Sequence, residues 1–374
     1  MQKLITINYI ACDIVPSKIF GISRYQVEIH ERLKDKVKLN WISYSPSKFP
    51  LLGKLFDYYI KYPVKVKLRI LHDSITHIPN PRYAHLFQII DISKLNNKTI
   101  ATFYDVEPSI MFQDKKTLIH WYLCRKGLMR ADKIVTLSTF QKREIIKFFG
   151  YDYPEEKIEV VPEGVDTNRF RKLEVSEIES TKKKIERNMG DIKIILFVGS
   201  EHPRKNFERV LYAIHALKKE YENFKLFKIG KPEIEDYRKR NLKIIRDLRL
   251  DKYVTFFDHV EDTELVKYYN ISECLILPTL YEGGFALPIL EAFACKTPVI
   301  TSNIPPIIEL TEGKGAIFVD PYDVKQITEA LKNLLYGDID RDEIAEEGYN
   351  IAKKYNWNNS AEKMYKIYKE LNKK

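Results

Sequence analysis

The stretch IKIILFVGSEHPRKNFERVLYAIHALKKE, residues 192–220, changes from a run of apolar residues to an amphipathic segment. Its first part, IKIILFVGS, has the composition of a parallel strand that is buried on both faces. Its last part, FERVLYAIHALKKE, has apolar residues at helical spacing. A strand, a short polar turn and a helix in this order predict one unit of a doubly wound sheet.

Strands and helices continue to alternate on the C-terminal side of this stretch. The predicted strands are FKLFKIG, YVTFF, CLILP, PVIT and AIFVD, with a helical segment between successive strands. Such alternation predicts a parallel sheet with helices on both faces, as in Rossmann-like domains. The charged segment at 174–188, which precedes the sheet, reads as an exposed helix or a linker.

The first half of the chain alternates in the same way, with predicted strands LITINYIA, KLNWISYS, SITHIP, KTIATFYD, DKIVTLS and KIEVVP. A length of 374 residues is enough for two domains. We therefore expect an α/β protein with two Rossmann-like domains, at residues 1–168 and 169–356. Ligands of such sheets bind outside the carboxyl ends of the strands, so two facing sheets would form a cleft.

Composition limits the class of protein. Apolar residues make up 44% of the chain and charged residues 30%, which is the balance of a soluble globular protein. No apolar stretch approaches the length of about 18 residues that a membrane-spanning helix needs, and the N-terminal run reads as a first strand rather than a signal peptide. The four cysteines are scattered without a CxxC pair or a Cys/His cluster, which favours a cytoplasmic location and argues against structural zinc.

The excess of positive charge lies in the first half. Residues 1–165 carry 26 Lys and Arg against 17 Asp and Glu, a net +9, whereas the rest of the chain carries +1. This asymmetry indicates an anionic partner, such as a membrane surface, a nucleic acid or a phosphorylated acceptor. The basic and aromatic segment at 51–71, LLGKLFDYYIKYPVKVKLRIL, suits a helix on the surface of an anionic bilayer. A helix packed on the first domain, with snorkelling lysines, is the alternative.

Arg204 and Lys205 form the first candidate for a ligand site. They follow the strand at 192–200 and precede Asn206, a candidate N-cap of the next helix. The N-terminus of a helix attracts anions, and an adjacent Arg and Lys would clamp a diphosphate there. We expect both side chains to be exposed when no ligand is bound; an ordinary solvated Arg-Lys pair is the alternative reading.

The stretch YEGGFALPILEA, residues 281–292, is the second candidate, and it follows the predicted strand CLILP. Gly283 and Gly284 permit close approach of the backbone or positive φ. Pro288 suits the first turn of a helix, and we expect Glu291 to lie in that turn as well. Carboxylates pair well with sugar hydroxyls, whereas the alternative is that Glu282 and Glu291 only complement the helix dipole.

These two stretches together resemble the retaining glycosyltransferases of family 4, which have the GT-B fold. The resemblance extends over nearly the whole chain, through GISRYQVEI, THIPNP, TIATFYDVEP, ADKIVTLSTFQKREI, VVPEGVDTNRF, SNIPPIIEL and FVDPYDV. The segment YNWNNSAEKMYKIY resembles the final helices of the family, which implies that a helix at about 357–374 packs back on the first domain. The similarity is greatest to the mannosyl- and glucosyltransferases of surface polysaccharides.

The resemblance implies an enzyme that moves a hexose from a nucleoside-diphosphate sugar to a hydroxyl on a glycan or lipid-linked acceptor. Reaction by front-face substitution would let the leaving diphosphate take up the acceptor proton. Neither a metal nor another cofactor is implied, nor is a nucleic-acid partner. The enzyme would be cytoplasmic, with docking to the inner face of the membrane if the basic segment at 51–71 is interfacial.

Roles for individual residues follow from the same resemblance. The catalytic residues would be Arg204, Lys205, Glu282 and Asp105. Of these, Arg204 and Lys205 would bind the diphosphate, and Glu282 would contact the donor sugar. The nucleotide-sugar would also meet Glu291 at the ribose, His259 and Val260 near the base, and the backbone of Gly21, Gly199, Phe285, Ala286 and Leu287. The acceptor side would hold Tyr104, Arg24 and His77, although a structural role for His77 is an alternative.

Three positions depart from the family pattern. Glu282 and Glu291 have eight residues between them instead of the usual seven. Either Gly283 and Gly284 absorb the extra residue as a bulge, or Glu282 no longer contacts the sugar. Tyr104 stands where the family commonly has His, and a Tyr with a pKa of about 10 is a poor acid or base. Lys296 replaces the usual Gly where the helix is expected to end, at a cost if the residue is left-handed.

Other sequence patterns give only weak support for different functions. The D-x-D at Asp338 and Asp340 follows a predicted helix rather than a strand, so it reads as a helix-capping loop and not as a metal site. No G-x-G-x-x-G fingerprint follows a strand, which disfavours a dehydrogenase. Two alternatives remain, namely a nucleotide-sugar epimerase of the same fold and a non-catalytic nucleotide-sugar- or glycan-binding protein.

Overall fold

The computed structural model describes residues 4–12, 22–44, 56–90, 92–105, 115–189 and 192–373. The chain divides into two compact units. The first comprises Met1–Glu163 together with Trp357–Lys374, and the second comprises Gly164–Asn356. The division therefore lies slightly ahead of the expected boundary at residue 168, and the final helix belongs to the first unit.

The first unit is built on a six-stranded parallel sheet. Its order is β2-β1-β3-β4-β5-β6, so the direction of winding reverses between β1 and β3. The strands are β1 (Ile5–Cys12), β2 (Val37–Tyr44), β3 (Ile75–Ile78), β4 (Lys98–Thr102), β5 (Lys133–Thr136) and β6 (Ile158–Val160). The inner strands β1, β3, β4 and β5 are mostly buried on both faces because helices cover each side of a parallel sheet, whereas the edge strands β2 and β6 are only partly buried.

The helices described for the first unit are α1 (Ile22–Leu33), α2 (Tyr62–Arg69), α3 (Leu86–Ile89), α4 (Lys115–Arg130), α5 (Thr139–Phe149) and the C-terminal helix (Trp357–Asn372). A π-helical turn, Asp57–Lys61, leads directly into α2. The C-terminal helix is held against the unit by the Tyr368 hydroxyl, which lies 2.7 Å from Nδ1 of His77 on β3. It also pairs with α1 through Arg32 and Asn358 at 2.9 Å.

The second unit has a six-stranded parallel sheet of order β12-β11-β10-β7-β8-β9. Numbered within the unit, this is the 3-2-1-4-5-6 order of a Rossmann sheet read from the other edge, and it reverses between β7 and β10. The strands are β7 (Lys193–Val198), β8 (Phe224–Ile229), β9 (Val254–Phe257), β10 (Cys274–Leu277), β11 (Val299–Ser302) and β12 (Ile317–Val319).

Eight helices are described for the second unit: α6 (Val175–Met189), α7 (Phe207–Leu217), α8 (Glu235–Asp247), α9 (Asp262–Ile271), α10 (Leu287–Ala294), α11 (Pro305–Thr311), α12 (Val324–Tyr336) and α13 (Arg341–Ala352). The charged segment at 174–188 therefore forms most of α6. The D-x-D is a capping loop as predicted, because the Asp340 carboxylate accepts from the N–H groups of Asp342 (3.1 Å) and Glu343 (2.9 Å) at the start of α13.

Among the described residues, no helix combines the length and the apolar character that crossing a bilayer requires.

Candidate active site

Two loops meet where the strand order of the second unit reverses. One follows β7 at 199–206, and the other follows β10 at 278–286; these two strands are neighbours in the sheet. Arg204 joins the loops, because its carbonyl oxygen accepts hydrogen bonds from the N–H of Leu280 (2.7 Å) and from Oγ1 of Thr279 (2.9 Å). Doubly wound sheets bind ligands at such a reversal, outside the carboxyl ends of the strands.

Glu282 lies at the centre of an ion cluster between the two loops. Its Oε2 accepts a hydrogen bond from Nη1 of Arg204 at 3.0 Å, and its Oε1 accepts one from the ammonium group of Lys205. Oγ1 of Thr279 also lies 3.2 Å from Oε1. The side chains that the sequence assigned to the donor diphosphate and to the donor sugar therefore contact one another directly.

This cluster is largely closed to solvent, which corrects the expectation that the clamp side chains are exposed. Lys205 is 8% exposed and Glu282 is 5% exposed, whereas the side chain of Arg204 keeps about a quarter of its surface in solvent. Burial by itself would raise the pKa of Glu282, but Lys205 and Arg204 outweigh burial and hold this pKa below its ordinary value. Glu282 is thus a buried carboxylate that two cations compensate.

Asn206 has a different role from the helix cap predicted for it. It precedes α7, but it takes a left-handed conformation (φ 63°) and its side chain makes no capping hydrogen bond. Its Nδ2 instead donates to the carbonyl oxygens of Pro278 and Pro321, both at 2.7 Å. Asn206 therefore ties together the chain segments that leave β7, β10 and β12.

Helix α10 carries Glu291, but not in the first turn as the sequence suggested. Pro288 does lie in the first turn, whereas Glu291 is the fifth residue of the helix and faces its buried side. The hydroxyl of Tyr269 donates to Oε2 of Glu291 at 2.8 Å. Glu291 is therefore too far along α10 to compensate the helix dipole at its start, and the dipole reading is wrong for this residue.

The segment between Glu282 and α10 presents the backbone that a donor would need. Gly283 and Gly284 form a buried bend, and the ring of Phe285 packs edge-on against Tyr355 with centroids 4.9 Å apart. Ala286 is the N-cap residue of α10, and its methyl group cannot accept from the first-turn N–H groups. Pro288 has no N–H, and the N–H of Ile289 donates to the carbonyl oxygen of Ala286 at 2.8 Å. This leaves the N–H of Leu287 at the start of the helix, a position that suits an anionic or hydroxyl-rich ligand.

A second buried ion network lies beside the first, at the ends of β7 and β8. Glu201 and Lys228 are both fully buried, with Nζ and Oε1 3.3 Å apart. Arg238 on α8 donates to Glu201 and, at 2.6 Å, to Asp258 after β9. Burial lowers the pKa of Lys228 to about 8, although Glu201 opposes the shift. Sequence reasoning missed this network, since its members lie in four separate segments.

The remaining donor-side residues of the second unit lie around these loops. Gly199 is packed closely at the end of β7, because a Cβ on Gly230 (φ 128°) would come within 2.3 Å of the carbonyl oxygen of Gly199. His259 and Val260 follow β9, where Nε2 of His259 lies 2.8 Å from a carboxylate oxygen of Glu261. Leu287 begins α10.

In the first unit, Tyr104 and Asp105 lie just after β4, which ends at Thr102, whereas the sequence predicted them as the last two residues of that strand. The ring of Tyr104 is buried and packs edge-on against Tyr25, with centroids 5.8 Å apart. Burial and then the charge of Glu163 raise the pKa of Tyr104 well above 10, and the nearby Gln26 opposes them only in part. In this environment the phenol stays protonated at neutral pH, while Asp105 is partly exposed.

His77 is a core residue rather than an accessible contact for an acceptor. Its Nδ1 lies 2.7 Å from the Tyr368 hydroxyl and its Nε2 2.8 Å from Oγ1 of Thr102, so both ring nitrogens have partners inside the unit. Burial lowers its pKa well below 6.5. Arg24 lies partly exposed in the first turn of α1, and Gly21 falls outside the described residues.

The structure also brings together three side chains that the sequence left apart. His85, His120 and Cys124 place their potential ligand atoms within 4.8 Å of one another. The cysteines are therefore not all remote from histidines, and the expectation of no Cys/His cluster is wrong for Cys124. The spacing of His120 and Cys124, four residues apart on a helix, was the available signal.

Two family models match the chain in succession. Residues 23–169 match the model described as Glycosyltransferase Family 4, and residues 178–351 match the model described as Glycosyl transferases group 1. The two matches together span most of both units.

Known proteins resemble the chain over its whole length. The O-antigen chain mannosyltransferase B of Escherichia coli is 26% identical over 96% of this chain and 99% of its own. Among solved structures, the sucrose-phosphate synthase of Thermosynechococcus elongatus superposes with a TM-score of 0.79 at 17% identity, over 98% of this chain and 99% of that one. The Anabaena protein HepE, solved with UDP and glucose, gives 0.78 at 14% identity, over 96% and 98%.

Proposed function

This chain belongs to the group 1 glycosyltransferases, and we propose that it transfers a hexose from a nucleoside-diphosphate sugar to a hydroxyl acceptor with retention of the anomeric configuration. The GT-B fold expected from the sequence is confirmed by the two Rossmann-like sheets and by the structural matches. The transferase class is confirmed by the matched family and by the relatives.

One observation carries the assignment of the donor site: Arg204, Lys205 and Glu282 converge at the reversal of the second sheet. Two cations at this position suit the two phosphates of a nucleoside-diphosphate sugar, and a carboxylate suits the hydroxyls of the sugar. The N–H of Leu287, at the start of α10, would add an uncharged donor next to the same loop. A relative named as a mannosyltransferase and a neighbour solved with UDP and glucose support a hexose donor of this kind.

The chemistry of the site would be mainly electrostatic. As the bond from the anomeric carbon to the diphosphate breaks, negative charge grows on the leaving oxygen, and Arg204 and Lys205 are positioned to stabilise it. We propose that these cations supply the charge stabilisation that a metal ion supplies in other transferases. In this front-face reaction the departing diphosphate would take up the acceptor proton. Tyr104 would not act as the base, because burial raises its pKa and keeps the phenol protonated.

The contact between Glu282 and the clamp suggests how the donor would enter. Without a donor, Glu282 forms ion pairs with Arg204 and Lys205, the two cations that would bind the diphosphate. A diphosphate brings more negative charge than one carboxylate, so we propose that it takes over Arg204 and Lys205. Glu282 is then released toward the sugar hydroxyls, and the clamp never remains as an uncompensated pair of buried cations.

For the acceptor side, we propose an anionic membrane surface as the docking partner of the first unit. The π-helical turn and α2 present an apolar stripe to solvent, in which Phe56, Ile60, Val64 and Leu68 recur every four residues and are 55%, 51%, 51% and 80% exposed. The exposed basic residues Lys61, Lys67 and Arg69 flank this stripe. Apolar residues beside basic ones are the features of an interfacial helix, and they fit a lipid-linked acceptor.

The test of the proposed function is a transfer assay with stereochemical readout. The full-length protein is incubated with UDP-glucose and GDP-mannose, together with a membrane extract of lipid-linked acceptors, and the configuration of the product linkage is read by NMR. We expect release of the nucleoside diphosphate and an axial, retained linkage. An inverted linkage would contradict the retaining mechanism, and donor turnover unchanged in Arg204→Ala and Lys205→Ala would contradict the site.

A further inference from the structure

A cluster of two imidazoles and a thiol lies in the first unit. His120 and Cys124 are four residues apart on α4 and so share a face of that helix, while His85 directly precedes α3. Nε2 of His120 lies 3.4 Å from Sγ of Cys124, and all three potential ligand atoms lie within 4.8 Å of one another. Imidazole and thiolate are the ligands that zinc prefers in proteins.

Both histidines are oriented by hydrogen bonds on their other ring nitrogen. Nδ1 of His85 donates to the carbonyl oxygen of Arg82 at 3.2 Å, which leaves Nε2 with its lone pair. The Tyr59 hydroxyl lies 2.7 Å from Nδ1 of His120 and can hold that ring in the same tautomer. Histidines that bind metals are typically fixed in this way by an oxygen on the nitrogen that does not bind.

Nε2 of His85 is the second observation that points to a ligand. His85 is fully buried, and this nitrogen has no hydrogen-bond partner among the described residues. A buried polar nitrogen without a partner is costly and rare in folded proteins. A bound cation would satisfy it.

The packing around the cluster keeps His85 close to α4. The ring of Tyr58 stacks on His85, with centroids 4.7 Å apart. One turn beyond Cys124, Gly127 allows the helix to touch the segment that contains Ala84, since a Cβ at 127 would come within 1.8 Å of the carbonyl oxygen of Ala84. The approach that brings the three side chains together therefore depends on a glycine at 127.

We propose that His85, His120 and Cys124 bind a divalent transition-metal ion of the zinc type. Zinc–nitrogen and zinc–sulfur bonds in a tetrahedral site put nitrogen and sulfur about 3.6 Å apart, close to the 3.4 Å found for His120 and Cys124. Three protein ligands leave a fourth position for water, and this ligand set disfavours calcium and magnesium.

The metal would connect three parts of the first unit. His85 belongs to the segment before α3, His120 and Cys124 to α4, and Tyr59 to the π-helical turn that begins the exposed apolar stripe. We assign the site a structural role, holding the stripe against α4. This inference does not depend on the donor site in the second unit, and its test has a separate readout.

The experiment uses the full-length protein, freed of metal by chelation and then titrated with Zn²⁺ and with Co²⁺. We expect one equivalent of zinc per chain, and with cobalt a sulfur-to-metal charge-transfer band with the visible spectrum of a tetrahedral ion. Cys124→Ala should abolish the band, and Cys274→Ala, which removes a buried thiol of the other unit, should retain it. Tyr59→Phe should weaken zinc binding about 10- to 100-fold.

A measurement on the wild-type protein keeps the proposal testable if Cys124→Ala does not fold. Zinc should protect Cys124 from alkylation, mapped by mass spectrometry under mild denaturant, and magnesium should not. Failure of the wild-type protein to take up zinc or cobalt would overturn the proposal, as would a charge-transfer band that persists in Cys124→Ala, or equal alkylation of Cys124 with and without zinc.

Discussion

At the scale of single residues, the buried carboxylate of Glu282 is the centre of the proposed donor site. It lies among Arg204, Lys205 and Thr279, and it is nearly inaccessible to solvent. Removing one member of such a buried ion cluster leaves the others without compensation, which costs more than the cluster contributes as a whole. The stability and the activity of this site are therefore coupled through the same three charged side chains.

The first prediction separates these two effects. Replacing both Arg204 and Lys205 by Ala should lower the free energy of unfolding by about 3 to 5 kcal/mol, because Glu282 is left buried and charged. Adding Glu282→Gln to the double variant should recover most of the lost stability. It should not recover turnover, because Arg204→Ala or Lys205→Ala alone already lowers turnover about 10²- to 10³-fold. Denaturant unfolding and a donor assay measure the two quantities. A triple variant no more stable than the double variant would show that the clamp does not compensate Glu282.

The second prediction concerns pH. The folded-state pKa of Glu282 lies below its ordinary value of 4.5, since Lys205 and Arg204 outweigh burial. The resulting stabilisation is therefore complete above pH 4.5 and is lost as the pH falls through the folded-state pKa. The stability of the wild-type protein relative to Glu282→Gln should decline over that acid range and stay constant from pH 6 to 8, which unfolding curves at several pH values would measure. If the stability advantage of the wild-type protein over Glu282→Gln grew as the pH falls, the pKa of Glu282 would not be lowered in the folded state.

At the scale of elements, helix α10 ends in a strained position that the sequence identified. Lys296 has φ 54°, and the N–H groups of Lys296 and Thr297 bond to the carbonyl oxygens of Phe293 (3.0 Å) and Ala292 (2.9 Å). This is a Schellman motif, whose left-handed residue is usually Gly. The side chain of Lys296 partly offsets the strain, because it pairs with Glu346 on α13.

The third prediction follows from this geometry. Lys296→Gly should raise the free energy of unfolding by about 0.5 to 1 kcal/mol, because relief of a left-handed strain of about 1 to 2 kcal/mol exceeds the entropy that glycine adds to the unfolded chain. Lys353 is the matched control: its Nζ lies at the same 4.8 Å from the Tyr349 ring, but its φ is −59°. Lys353→Gly should not stabilise the protein. Equal effects in both variants, measured by denaturant unfolding, would contradict the strain argument.

The strands were predictable from sequence, because they are largely apolar segments bounded by turn residues, and the inner strands of each sheet are buried on both faces. All twelve described strands coincide with predicted ones to within a few residues. Helices α3 and α13 were not predicted. The first is only four residues long, and α13 has a mostly polar sequence with a glycine at 348, where a Cβ would come within 2.5 Å of the Phe293 ring on α10. Only tertiary packing explains a glycine there.

The residues of the proposed donor site were chosen one by one from the sequence, but their contacts with one another were not predictable. Lys205 and Glu282 are 77 positions apart, and they meet because β7 and β10 are neighbours, a strand order that alternation alone does not specify. The burial of His77 and the meeting of His85 with Cys124 depend on tertiary packing in the same way. Local patterns thus identify residue types, whereas sheet order decides which of them touch.

At the scale of the whole molecule, the fourth prediction concerns the exposed apolar stripe of the first unit. The protein should sediment with anionic vesicles and not with neutral ones, since each basic residue near an anionic surface contributes about 1 kcal/mol. Salt should weaken the binding. Lys65 is better left unchanged, because its ammonium group donates to the carbonyl oxygen of Ser43 at 2.7 Å.

The variants for that experiment are chosen by exposure. Lys67→Glu with Leu68→Glu should abolish vesicle binding. Lys183→Glu with Val175→Glu, on α6 of the second unit, is the matched control and should leave it intact, since Val175 is 69% exposed and the Lys183 side chain 71% exposed. Equal binding to neutral and anionic vesicles, or equal loss in both double variants, would remove the membrane as the docking partner.

Whether Arg204 and Lys205 hold the diphosphate of the donor can be measured as a ratio of two affinities. Calorimetry compares a nucleoside diphosphate with its parent nucleoside, using UDP and uridine or GDP and guanosine, whichever pair the wild-type protein binds. We expect the wild-type protein to prefer the diphosphate strongly. In Lys205→Ala this preference should fall by a factor of at least about 10, because loss of one charge-assisted contact costs about 1.5 to 3 kcal/mol. An undiminished preference in that variant would show that Lys205 does not bind the diphosphate.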